Sequence, residues 1–146
     1  MPDQPGHRFL EDVAIADVAF QAWAPDLAGL CREAALALLE VMIEDPLAVH
    51  PRVERRIRLE RDSAEWLLYD FLEELVFIKD TERLLLRPVA LTAEEGAPFR
   101  LDARMMGEAV DPRRHPVNAD VKAVTLHRYR CERRPEGWFA EVVLDI

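Results

Sequence analysis

Gly107-Glu108-Ala109-Val110-Asp111-Pro112-Arg113-Arg114-His115-Pro116-Val117-Asn118-Ala119-Asp120-Val121-Lys122-Ala123-Val124-Thr125-Leu126-His127 is the stretch that decides the fold. A polar, charged run over 108–120 passes at once into a strand-like segment over 121–127. Binding chemistry is commonly carried on loops held by a rigid scaffold. Asp111, His115, Asp120 and Lys122 are therefore the candidate partner-binding or activating residues.

Downstream, 121–132 and 138–144 read as a strand pair joined by Arg134-Pro135-Glu136-Gly137, a hairpin signal. Upstream, 83–91 and 99–106 read as two more strands, joined around Ala93-Glu94-Glu95-Gly96. Leu67, Leu68, Phe71, Leu72, Leu75 and Ile78 form the apolar stripe of a helix. Asp62-Ser63-Ala64-Glu65 before it has the form of a capping box with Asp62 as cap. Trp66 and Tyr69 on that helix read as packing aromatics. An earlier helix starts after Asp26, keeps Leu30, Ala34, Leu38 and Val41 in register, and should end at Asp45-Pro46. Segments 9–13, 18–23 and 53–61 complete the strands. The expected fold is α+β, a single domain with a largely antiparallel sheet and two helices packed on one face. Residues 1–7 are expected to be a disordered N-terminus and 8–146 the domain.

Composition narrows the function. At 146 residues the chain can bury one proper core, and half of it is hydrophobic. The longest apolar stretch, 34–43, is broken by Glu40 and is too short for a bilayer. With no signal-peptide pattern at its start, a cytoplasmic protein without membrane contact is expected. Cys31 and Cys131 have no Cys-x-x-Cys partner and read as two reduced thiols. The net charge of −9 opposes autonomous nucleic-acid binding, although 113–134 carries seven Lys/Arg against Asp120 and Glu132. A protein partner that is itself basic and RNA-bound suits this distribution.

Ser63 is the one serine and stands at a helix start, so a Ser–His–Asp site is excluded. His7, His50, His115 and His127 show no zinc spacing, and the five glycines are scattered singly. His127 should lie on a strand. Oxygen donors remain. The last strand runs to Leu144-Asp145-Ile146, and Asp17 stands in an early strand. If these strands adjoin, Asp17, Asp145 and the Ile146 carboxylate converge and call for a hard cation. Spacing leaves open whether they meet.

The chain resembles the archease family from about His7 to its last residue. Phe9-Leu10 followed by Ala16-Asp17-Val18 is similar to the family's opening strand motif. Phe71-Leu72-Glu73-Glu74-Leu75-Val76-Phe77 is similar to its second-helix pattern. Gly107-Glu108 with Asp111 and His115, then Asp120-Val121-Lys122-Ala123-Val124-Thr125, and the closing Asp145-Ile146 resemble its later motifs in order. The resemblance implies an accessory protein rather than an enzyme. Its partner would be a GTP-dependent RNA ligase that joins 3′-phosphate and 5′-hydroxyl ends in tRNA splicing or RNA repair. The accessory protein promotes guanylylation and repeated turnover, and RNA is met only through the ligase. It also implies a divalent site, Ca²⁺ first and Mg²⁺ as the alternative, held by Asp17, Asp145 and Ile146. The family's His-Thr and Gly around that Asp are here Ala14-Ile15 and Ala19, which removes polar support beside Asp17. Two other readings are a metal-dependent hydrolase using Asp17, Asp145, His115 and Lys122, and a general protein-binding or chaperone module.

Overall fold

A computed structural model describes residues 4–11 and 17–146. Helix α1 (Leu27–Met42) begins where expected, with Asp26 accepting from the Gly29 N–H at 2.7 Å. It ends at Ile43, ahead of Asp45-Pro46, because Asp45 instead caps a 3-10 turn over Pro46–Ala48. Helix α2 (Ala64–Glu82) is capped by Ser63, whose Oγ accepts from the Trp66 N–H at 3.2 Å. The cap is thus one residue later than the expected Asp62. Glu65 stays in the first turn, where a negative charge favours the helix dipole. Arg83 closes α2 in the left-handed region at φ 58°.

The strands are β1 (Gly6–Leu10), β2 (Asp17–Ala24), β3 (Val53–Arg61), β4 (Leu84–Glu94), β5 (Phe99–Ala109), β6 (Ala123–Val124), β7 (Arg130–Arg134) and β8 (Gly137–Asp145). They form two antiparallel sheets where a single one was expected. One has the order β1-β2-β8-β6 with β7 also on β8; the other is β3-β5-β4. The reason lies in the helices. Ten of the sixteen residues of α1 are buried, so it needs cover on more than one side, and it packs against β2 and β4 of different sheets. α2 likewise touches β3 and β7. The core of Phe20, Leu30, Leu38, Phe71, Leu72 and Val142 lies among these layers.

Three further expectations are corrected. Gly6 and His7 are paired with Trp23 and Ala22, so the ordered chain starts before residue 8; residues 12–16, including the end of the expected 9–13 strand, lie outside the described residues. The 121–132 strand is broken. Between Val124↔Leu144 and Arg130↔Glu141, five residues intervene on one side and two on the other. The excess forms a loop with Arg128 at φ 57° and a Tyr129 N–H to Leu126 carbonyl bond of 3.2 Å. His127 therefore sits exposed in a loop rather than on a strand. In β4, Val89 is an unpaired bulge beside Pro88, which has no N–H for the ladder. Among the described residues no helix is long and apolar enough to cross a membrane.

Gly107 explains the start of the 107–127 stretch. It lies in the middle strand of its sheet, between Val53 and Leu86, and an added Cβ would come within 1.7 Å of the Leu85 carbonyl oxygen. Backbone cannot yield as a flexible side chain does. Gly107→Ala should cost roughly 3 kcal/mol or prevent folding. Urea unfolding checks this, and an unchanged midpoint would refute the close approach.

Candidate functional site

The β2–β8 register brings the separated acids together: Asp17 stands directly opposite Asp145. Opposed residues project to the same side of a sheet, with Cβ atoms about 5 Å apart. On the far edge of β8, Ala123 is the partner of Asp145, and the Lys122 N–H donates to the Asp145 carbonyl at 2.8 Å. Three segments far apart in the chain thus meet at the end of β8, and Ile146 follows directly. Among the described residues neither Asp17 nor Asp145 is in an ion pair, so two like charges face each other without a protein cation. No three His, Cys, Asp or Glu side chains of the described residues gather as a metal cluster. Asp17, Asp145 and the Ile146 main chain offer oxygen donors alone, the donor type that hard cations take. Ala14 and Ile15 lie outside the described residues, while Ala19 is fully buried beside Val143.

Asp120 and Lys122 belong to this neighbourhood, but through a residue that sequence reading missed. Lys79, on the last turns of α2, places its Nζ 2.7 Å from Asp120 Oδ1, 2.7 Å from the Val121 carbonyl and 2.6 Å from Asp80 Oδ1. It fixes the segment from which Lys122 projects. The ammonium bond holds the Asp120 carboxyl below its usual range. Burial opposes charge on Lys79, yet Asp120 and Asp80 raise its pKa overall. The Lys122 side chain is exposed. A cleft of about 250 Å³ is lined by Ile43, Lys79, Arg83, Val117 and Asp120. The helical pattern hid Lys79, which reads as an ordinary basic residue near a helix end.

Asp111 and His115 do a different job. His115 is 0% exposed, so it cannot touch a partner, and its assignment to docking is corrected. Its Nδ1 accepts from the Asp111 N–H at 2.9 Å, which leaves Nε2 to donate to Glu108 Oε2 at 3.0 Å. The Asp111 side chain turns onto the Arg113 N–H at 3.0 Å, closing its own loop. Glu108 is the hub: it also accepts from the His50 N–H at 2.7 Å, Arg52 Nε at 3.2 Å and Arg114. Burial pushes the Glu108 carboxyl up, but Arg114, the His50 N–H and His115 outweigh it and bring it to about 2. The hydrolytic set of Asp17, Asp145, His115 and Lys122 is therefore not assembled, since His115 is sealed into this hub.

A second buried carboxylate was also missed. Glu141 interrupts the apolar run of β8 and accepts from Gln21 at 2.8 Å and Arg128 at 3.3 Å. An acid inside an otherwise apolar strand was the available signal.

Residues 7–146 match the Archease protein family (MTH1598/TM1083). The chain is similar to Protein archease of Methanopyrus kandleri, 41% identical over 134 residues, covering 90% of this chain and 94% of that one. Against Protein archease of Thermococcus gammatolerans it is 36% identical over 133 residues, covering 90% and 93%. Its structure is similar to the solution structure of Methanobacterium thermoautotrophicum protein 1598, with a TM-score of 0.82, 34% identity and coverage of 97% and 99%. A crystal structure described as an archease, possible chaperone, from Thermotoga maritima shares the fold, with a TM-score of 0.60 at 18% identity, covering 95% and 98%.

The Glu108 hub predicts an acid signature. A carboxyl held below its usual 4.5 contributes stability above that pH and loses it as pH falls through about 2. Glu108→Gln should be less stable than wild type at pH 7, and the difference should shrink between pH 4.5 and about 2. Urea unfolding at several pH values tests it; a pH-independent gap would mean the charge is not what matters.

Proposed function

This chain belongs to the archease family, and from that premise we propose that it is an accessory protein to a GTP-dependent RNA ligase. In this role it promotes guanylylation and repeated turnover of an enzyme that joins 3′-phosphate to 5′-hydroxyl ends, in tRNA splicing or RNA repair. The observation that carries the reading is the facing of Asp17 and Asp145 next to the segment that bears Lys122. Two opposed carboxylates are costly unless a cation or protons join them. All-oxygen donors favour Ca²⁺, or Mg²⁺, over zinc or copper. Bound there, the cation supplies positive charge at the end of β8. Asp17 and Asp145 hold it, Ile146 adds a main-chain oxygen, and Lys122 offers an exposed ammonium close by. Asp120, clamped by Lys79, sets where that ammonium stands. Asp111 and His115 act at one remove, by shaping the loop that precedes the segment.

A protein partner rather than RNA alone is favoured by the charge of −9. The description of the Thermotoga maritima protein as a possible chaperone supports a second reading, general client binding. Client binding of that kind would not depend on Asp17.

The test is multiple-turnover ligation with ligase far below substrate. The wild-type protein should raise product well beyond one equivalent per ligase, and Ca²⁺ should raise its Tm, because a ligand of the folded state stabilises it. Asp17→Ala should abolish the Ca²⁺ increment and the stimulation together. Lys122→Ala should fold with stability within about 0.5 kcal/mol of wild type and still lose stimulation. No stimulation by the wild-type protein would sink the reading, and stimulation that survives Asp17→Ala would remove the carboxylate pair from it.

A further inference from the structure

We propose that the outer face of α2 is a docking surface for a basic protein partner, anchored by Trp66 and Phe77. Both side chains are large, apolar and out of the core: Trp66 is 48% exposed and Phe77 58%. Eleven residues apart, they lie about 16 Å from one another along the axis and roughly 20° apart around it. They therefore belong to one strip, with Asp70 and Glu73 between them. Neither belongs to the buried core. Aromatic anchors set among charges are the composition of interface hot spots.

The charge of the strip selects the partner. Helix α2 carries Glu65, Asp70, Glu73, Glu74, Asp80 and Glu82 against Lys79, a net −5 within a chain of −9. Three of these acids are already engaged: Asp70, on the strip, by Arg61, and Asp80 and Glu82, at the end of the helix, by Lys79 and Arg55. Among the described residues Glu65, Glu73 and Glu74 form no ion pair. Such a face repels RNA and repels its own copy, and it attracts lysine- and arginine-bearing protein.

The Trp66 end is built rather than loose. Trp66, Tyr69 and Tyr129 meet edge to face at 5.5 and 5.6 Å, and the Tyr129 hydroxyl donates to the Glu65 carbonyl at 2.6 Å. The loop made by the strand break adds Leu126, 57% exposed. Between them is a hollow of about 230 Å³ lined by Glu65, Trp66, Leu126 and Tyr129. Aromatic walls beside a carboxylate suit one lysine or arginine side chain, its stem on the rings and its head at Glu65. The strip also runs along β6: the Tyr69 hydroxyl donates to the Val124 carbonyl, and Glu73 accepts from the Val124 N–H. A partner seated here would reach the segment that carries Lys122.

Only the choice of ligase as the binding partner rests on the function proposed above. Calorimetry with purified ligase should show Trp66→Ala/Phe77→Ala weakening the Kd by roughly tenfold or more. Glu73→Gln/Glu74→Gln should weaken it at low salt and hardly at high salt, and Leu47→Ala, an exposed apolar residue off the face, should leave it unchanged. Equal affinity of the double aromatic variant and wild type would overturn the proposal. If the wild-type protein does not bind the ligase, the accessory reading fails, and the face is judged with a lysine-rich amphipathic helical peptide instead. Loss of peptide binding in the aromatic variant upholds the face, and equal binding to both proteins overturns it. A dimer that the variant dissolves would assign the face to a second copy and also overturn it.

Discussion

Strand β8 is the member on which the rest of the larger sheet depends. It is buried on both faces and hydrogen-bonded along both edges, to β2 on one side and to β6 and β7 on the other. A strand so enclosed must be nearly all apolar, and 138–144 is, apart from Glu141. Its pairing decides what meets at its end. With both faces apolar, the register is marked by the polar pair: Glu141 stands opposite Gln21 and accepts its hydrogen bond, and Asp145 then falls opposite Asp17. The facing of the two acids is thus a consequence of the strand register.

Among the described residues two carboxylates, Glu108 and Glu141, are buried, and they are handled differently. Glu108 collects donors from four residues on two sides of the chain and thereby ties the 50–52 segment to the 111–115 turn. Glu141 stays within its sheet, where burial pushes its carboxyl up and Gln21, Arg128 and Arg130 bring it below its usual range. The first organises a loop. The second draws Arg128 and Arg130 over the sheet face, where Arg130 lies 5.3 Å over the Phe139 ring. Removing either acid would strand cations that have few other partners.

Local signals were legible in the sequence, and non-local ones less so. Asp26 as a cap and β3 at Val53–Arg61 follow from short-range chemistry and periodicity, and both stand as read. Ser63 displaced Asp62 because two adjacent residues could cap equally well and only the arrival of β3 chooses between them. The strand break after Val124 carries no glycine or proline to announce it. His115 reads like an exposed loop residue because its partner Glu108 has to be buried first. The meeting of Asp17 with Asp145 was the hardest to foresee, since β-pairing between distant segments leaves no local mark.

The broken outer edge formed by β6 and β7 has a consequence for life at high concentration. An unbroken edge strand beside β8 would offer a second molecule a continuous row of unpaired backbone groups, the usual template for aggregation. Here the row stops after Val124, detours through 125–129 with Arg128 in the left-handed region, and resumes only for Arg130–Arg134. Four of the five residues in that resumed piece are charged. The interruption that hid this strand from sequence reading also makes its edge a poor seed for fibrils.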